Sequence, residues 1–154
     1  MSQWITDRTY KDVSRVKEIS EKARAGTWTE AEQAEWASGM KGALSYLDYN
    51  RIESGMQEIA DVLKATISVK SNWDVNGYIT TADAARWIDN VKILRALCSG
   101  RNDTPNTPDA IKELYFTVIN QVEQILLEIE TIANDRLLYC SEPICGGEPY
   151  YALR

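Results

Sequence analysis

Between Ala43 and Ala65, the residues Tyr49, Ile52, Met56, Ile59 and Leu63 recur at alternating spacings of three and four, which sets them on one face of one helix. The head of this stretch, Asn50-Arg51-Ile52-Glu53 with Ile59, has an echo in Asn120-Gln121-Val122-Glu123 with Ile129. A third helix carries the shorter Asp89-Asn90-Val91-Lys92. An apolar stripe is stable only when another element covers it, so the chain must fold several helices of related pattern around a shared core.

Such a core needs enough chain to enclose it. With 154 residues, 44% apolar and 26% charged, the chain suits one domain with a substantial core, and its composition is that of a globular protein. We expect an all-α bundle of four or five helices over residues 1–139, followed by an extended C-terminal arm over 140–154. The net charge of −6, with basic residues scattered among acids, argues against a nucleic-acid partner, because phosphate binding draws on clustered Lys and Arg. No apolar run approaches the roughly 20 residues that cross a bilayer, and Met1 to Arg15 is unlike a signal peptide. The expectation is a soluble protein made in a cytoplasm, with no membrane partner. Cys98 reads as a small buried hydrophobe, while Cys140 and Cys145 are able to pair without anything requiring it.

Along the chain, Thr6 or Asp7 is positioned to cap a first helix through about Ala25, stopped by Gly26. Thr29 and Glu32 have the spacing of a capping box, and Trp28 and Trp36 near the ends of the short helix that follows read as core filler. After the central helix, Thr66 to Lys70 alternates and is β-branched, which favours an extended connector, and Ser71 to Tyr78 reads as a loop. Thr80 or Thr81 caps the next helix, whose Ala84, Trp87, Val91, Leu94 and Cys98 form its stripe. Thr107-Pro108-Asp109 carries the signals of a helix start, and Ile111, Tyr115, Val118, Val122, Ile125, Ile129 and Ile132 keep a seven-residue rhythm behind it, widened by Leu114, Leu126 and Ala133. That predicts a long helix from Thr107 to Leu138, whose seam serves either the bundle core or self-association. The tail repeats Ser141-Glu142-Pro143 imperfectly as Gly146-Gly147-Glu148-Pro149 and ends in aromatics, so it reads as a non-helical arm.

With no histidine in the chain, Ser-His-Asp and Cys-His nucleophiles, Glu-x-x-His di-iron ligands and ordinary zinc sites fall away. Glu53 and Glu123 would form a carboxylate pair if the echo segments packed together; the plainer reading is a solvated acidic face. Asn50, Asn90 and Asn120 each precede a β-branched stripe residue, so they either join a polar network or cap an adjoining loop, or they simply flank the core. Asn72 to Asp83 is similar to an EF-hand calcium loop, with Asn72, Asp74, Asn76, the Tyr78 carbonyl and Asp83 as ligands and Gly77 at the turn. It departs from that pattern in having Asn72 at position one and the shorter Asp83 at position twelve, and it equally reads as a turn before a capped helix.

At Trp28-Thr29-Glu30-Ala31-Glu32, Trp36, Gly42, Asp48 to Glu53, Asn72-Trp73, Asp89-Asn90-Val91 and the closing Ser-Glu and Gly-Glu repeat, the chain resembles small helical proteins encoded in the tail and baseplate gene regions of phages and prophages of Gram-positive gut bacteria. The resemblance covers nearly the whole chain through packing and capping residues. It implies a virion-associated structural role with no catalytic residue to carry over. On this reading the protein is a non-enzymatic structural or adaptor component of a phage tail or tail fibre, joining copies of itself or a neighbouring tail protein. The joining residues would be Ile125, Ile129 and Ile132 of the seam with Cys140, Cys145, Tyr150 and Tyr151 of the arm. A calcium-tuned interaction module is the alternative.

Overall fold

The computed structural model describes residues 3–98, 104–111 and 115–141, with side chains to 135. It is all-helical: α1 is Tyr10–Ala25, α2 Glu30–Ala37, α3 Tyr46–Leu63, α4 Thr81–Leu97 and α5 Phe116–Ser141. Capping boxes at Thr9 with Asp12, Thr29 with Glu32, Ser45 with Asp48 and Thr80 with Asp83 start the first four. Each pairs backbone N–H groups that a helix start otherwise leaves unpaired. Gly26 ends α1 in the left-handed region at φ 68°, where a side chain would be strained.

Three helices build the core. Arg51 of α3 meets Glu123 of α5, and Glu58 to Val62 of α3 share a small cavity with Glu130 to Asn134 of α5. Glu53 and Met56 of α3 meet Arg86 and Asn90 of α4. Residue numbers rise together in each pair, so α3, α4 and α5 run parallel. Ile52, Met56, Trp87, Val91, Leu94, Val122, Ile125 and Leu126 fill the space between them and are fully buried. Burying a side chain of this size stabilises by about 1.5–3 kcal/mol.

Parallel packing explains the connectors. An 18-residue α3 is about 27 Å long, so the chain must travel that far back before the next parallel helix begins. It does so in extended form. Residues 65–70 alternate half-buried and exposed along the α3–α4 groove, as expected from their β-branched alternation. Residues 104–111 lie between α4 and α5, where Arg95 donates to the Pro105 carbonyl and to Thr107 Oγ1, Gln121 donates to the Asn106 carbonyl, and the Thr104 hydroxyl donates to Glu128. Residues 3–8 lie between α5 and α3. Each of these segments runs opposite to its helices.

α1 and α2 form a flank, joined by Arg15 to Glu35 at 2.8 Å and Lys22 to Glu32 at 2.6 Å, with Ile19 buried beneath. The loop between α2 and α3 lies on the start of α1. A Cβ on Gly42 would sit 2.2 Å from the Asp12 carbonyl carbon and oxygen, so the two backbones meet only because glycine stands there.

Several expectations are corrected. α1 starts at Tyr10 behind Thr9, later than Thr6 or Asp7, because residues 3–8 are held extended against α5. α5 starts at Phe116 and not at Thr107: the Thr107 hydroxyl accepts from Arg95, and the segment's carbonyls are taken by α4 and α5. Ile111 and Tyr115 therefore precede the helix, and Ile119, outside the expected stripe, is buried within it. The helix reaches Ser141, so Cys140 belongs to α5. Neither tryptophan of the α2 region is core: Trp28 is half-buried and Trp36 is exposed.

Candidate functional site

The two echo segments do the same thing in two places. On α3, Asn50 Oδ1 accepts from the Trp73 N–H at 3.1 Å while its Nδ2 donates to the Trp73 carbonyl at 2.9 Å. On α5, Asn120 treats Arg8 identically, at 3.2 and 2.9 Å. Asn90 clasps Ser68 in the same way, at 3.2 and 2.7 Å. A short side-chain amide offers one acceptor and one donor side by side, so it pairs with an extended residue as a neighbouring strand would.

The glutamate three positions on completes the clamps of Asn50 and Asn120. Glu53 accepts from the Lys70 N–H at 2.5 Å, and Glu123 from the Ile5 N–H at 2.7 Å. In both, that residue is three before the one the asparagine holds. Three extended residues span about 10 Å where three helical ones rise about 4.5 Å, so the longer reach of Glu makes up the difference.

The remaining donors differ. Glu53 also takes the Trp73 indole N–H at 3.1 Å, the Trp87 indole N–H at 2.8 Å and both terminal nitrogens of Arg86 at 2.5 and 2.7 Å. Burial alone would push its carboxyl up; Arg86, the two indoles and the Lys70 N–H outweigh that and hold it below the ordinary carboxylate range. Glu123 takes Arg8 at 2.8 Å and Arg51 at 2.6 and 3.0 Å, and Asp48 receives both arginines on its Oδ1. Trp4 adds an indole bond to Glu130 at 2.8 Å. Both oxygens of each central glutamate are thus engaged, and the two lie in separate networks instead of facing one another across a substrate space.

The loop residues have equally local employment. Asp74 Oδ1 accepts from the Asn76 N–H at 2.8 Å, closing a turn. Asp83 accepts from the Thr80 N–H and hydroxyl on one oxygen and from Arg86 at 3.2 Å on the other. Asn72 is exposed and the Tyr78 ring points to solvent. Among the described residues no group of three or more metal-binding side chains converges. Between these positions Trp73 turns inward and packs tilted against Tyr49, with ring centroids 5.0 Å apart and the Lys70 ammonium over its ring at 3.7 Å.

Of the assembly residues, Ile125 and Ile129 are buried in the chain's own core and Ile132 packs half-buried against it. Cys145, Tyr150 and Tyr151, and the side chain of Cys140, lie outside the described residues.

Sequence reasoning missed an apolar cleft of about 360 Å³ between the loop after α2 and the 74–78 turn. Trp36, Met40, Leu47, Tyr49, Val75 and Tyr78 are among its lining residues, and none of the lining residues is charged. Its rim leaves Val75 76% and Tyr78 82% exposed, with Trp36 at 42% and Leu47 at 48%. A cluster of this kind, in contrast to single scattered apolar residues, marks an interaction surface. The only sequence signal was Trp36 and Tyr78 standing beside glycine-containing loops. Compared with family models, curated proteins and solved structures, the chain has no match.

Proposed function

We propose that this chain is a non-enzymatic structural or adaptor protein of a phage tail or tail fibre, resident in the virion, which joins copies of itself or a neighbouring tail protein. The observation that carries the structural part is the use made of its buried polar groups. Glu53, Glu123, Asn50, Asn90 and Asn120 grip backbone and bridge elements, which is work for a rigid body and leaves no paired carboxylates poised for proton transfer. The tail setting is supported by the resemblance in packing and capping residues. With Ile125 and Ile129 inside the core, α5 serves the joining role by carrying the segment behind it, and contact with the partner falls to that segment.

The joining role is tested by removing residues 142–154: helical circular dichroism stays intact and the mass in solution, by light scattering, falls to that of a monomer. An unchanged mass refutes the joining role. The setting is tested by immunogold labelling of particles released from the bacterium that carries the gene; unlabelled tails would remove it.

A further inference from the structure

We infer that the apolar cleft of one copy receives the C-terminal segment 142–154 of a second copy, with Pro149, Tyr150 and Tyr151 seated among Trp36, Leu47, Val75 and Tyr78. This rests on the reading of that segment as the joining element and names the surface it joins to.

The cleft lies at the pole where α3 and α5 begin, since Leu44 lines both it and the neighbouring small cavity that Phe116 borders. Ser141 ends α5 at the other pole. From the level of Phe116 to Ser141 the helix rises about 38 Å. Tyr150 and Tyr151 stand nine and ten residues beyond Ser141, which at full stretch is at most about 32–36 Å. Tyr46, Leu47 and Tyr49, which line the cleft, lie level with about residues 118–121 of α5, about 30–35 Å from Ser141. The segment therefore meets its own cleft only at full stretch along the bundle, whereas another copy's cleft is open to it in any conformation.

Occupancy within the bundle points the same way. Each groove of the parallel trio already holds an extended segment, residues 66–73, 104–111 and 3–8, clamped by side chains from the flanking helices. Chemistry then matches. The cleft has an uncharged aromatic lining, and Gly147-Glu148-Pro149-Tyr150-Tyr151-Ala152-Leu153 is apolar except for one glutamate. Proline rings lie well on aromatic faces, and a tyrosine buries its ring while keeping its hydroxyl in water. With the donor at one pole and the acceptor at the other, the contact is head-to-tail and links copies into a ring or an open run, according to the rotation between neighbours.

The test uses the full chain, a cleft variant (Val75→Ser with Tyr78→Ser) and a tail variant (Tyr150→Ser with Tyr151→Ser). All four substituted positions lie outside the bundle core or outside the described residues, and circular dichroism checks the fold. Light scattering is expected to show the full chain growing in mass with concentration and each variant monomeric. A synthetic peptide of residues 142–154 should bind the tail variant, and adding the two cleft substitutions should weaken that binding about tenfold or more. If the cleft variant assembles or binds peptide as well as the unsubstituted cleft, the cleft is not the acceptor, while the joining role of the tail survives. If the tail variant assembles normally, or the full chain is monomeric at every concentration, both readings fall.

Discussion

The clamp around Glu53 and the clamp around Glu123 use the same Asn-x-x-Glu frame on parallel helices, yet they are finished with opposite materials. Glu53 draws on two neutral indoles and one guanidinium, from residues 17 to 34 positions away. Glu123 draws on two guanidiniums, and its partners lie 72 to 118 positions away. Loop closure over the longer separation costs only about 1 kcal/mol more, so distance along the chain is not what separates them. The difference is electrostatic: at Glu123 two anions, Glu123 and Asp48, compensate two cations, and Arg8 is nearly fully buried. One frame can therefore hold an extended segment with one guanidinium and two indoles or with two guanidiniums, and the version with more charge fails harder when its anion is lost.

The largest expected effect follows from that. Glu123→Leu and Glu53→Leu should each cost on the order of 3–5 kcal/mol in urea unfolding, with Glu123→Leu the worse because it leaves Arg8 and Arg51 sharing the single carboxylate of Asp48. Equal losses, or a reversed order, would break the comparison. Next come the asparagines. Asn50→Ala and Asn120→Ala each strand one backbone N–H and one carbonyl, at about 1–3 kcal/mol. Amide exchange should quicken at Trp73 in the first and at Arg8 in the second; exchange unchanged at both positions would mean that water replaces the amide without loss.

A smaller effect appears with acid. The ordinary value for both Glu53 and Glu32 is 4.5; Glu53 is held below it, with burial opposing, and the Lys22 ammonium and the Thr29 N–H hold Glu32 down at about 2. Because the folded values are the lower ones, the unfolded chain takes up protons first. The stability these groups contribute is complete above about pH 4.5 and declines as pH falls towards the folded values. Melting temperature against pH should show that decline beginning below about 4.5, and Glu53→Gln should flatten it. The smallest expected effect is that of calcium. With Asp83 engaged by Thr80 and Arg86, adding calcium in place of chelator should leave the melting temperature where it was. A rise that is lost in Asp74→Ala would instead return Asn72 to Asp83 to the status of a site.

Local signals in the chain were read correctly where the physics is local. The stripes of α3 and α4, the capping box at Thr29, a cap at Thr80 as one of two candidates, the stop at Gly26 and the extended run Thr66 to Lys70 follow from spacing, side-chain reach and β-branching. The Asn-x-x-Glu echo was visible as a repeat, but its use was not. Whether Asn50 or Asn120 faces water or backbone depends on which extended segment arrives beside it, and nothing within several residues of either encodes that.

Thr107-Pro108-Asp109 shows the limit most clearly. By sequence alone it is a helix start, with hydroxyl, proline and acid in their favoured places. Once α4 and α5 run parallel, the chain must cover the length of a helix between them, and Arg95 and Gln121 take the oxygens of that stretch. The sequence by itself determined that helices would form, where α2 and α4 are capped and which faces are apolar. Only the tertiary structure decided that three of them run parallel. From that direction came the extended returns, the buried clamps that hold them and the apolar cleft left open at one pole, because each depends on residues that meet only after the chain has crossed the molecule.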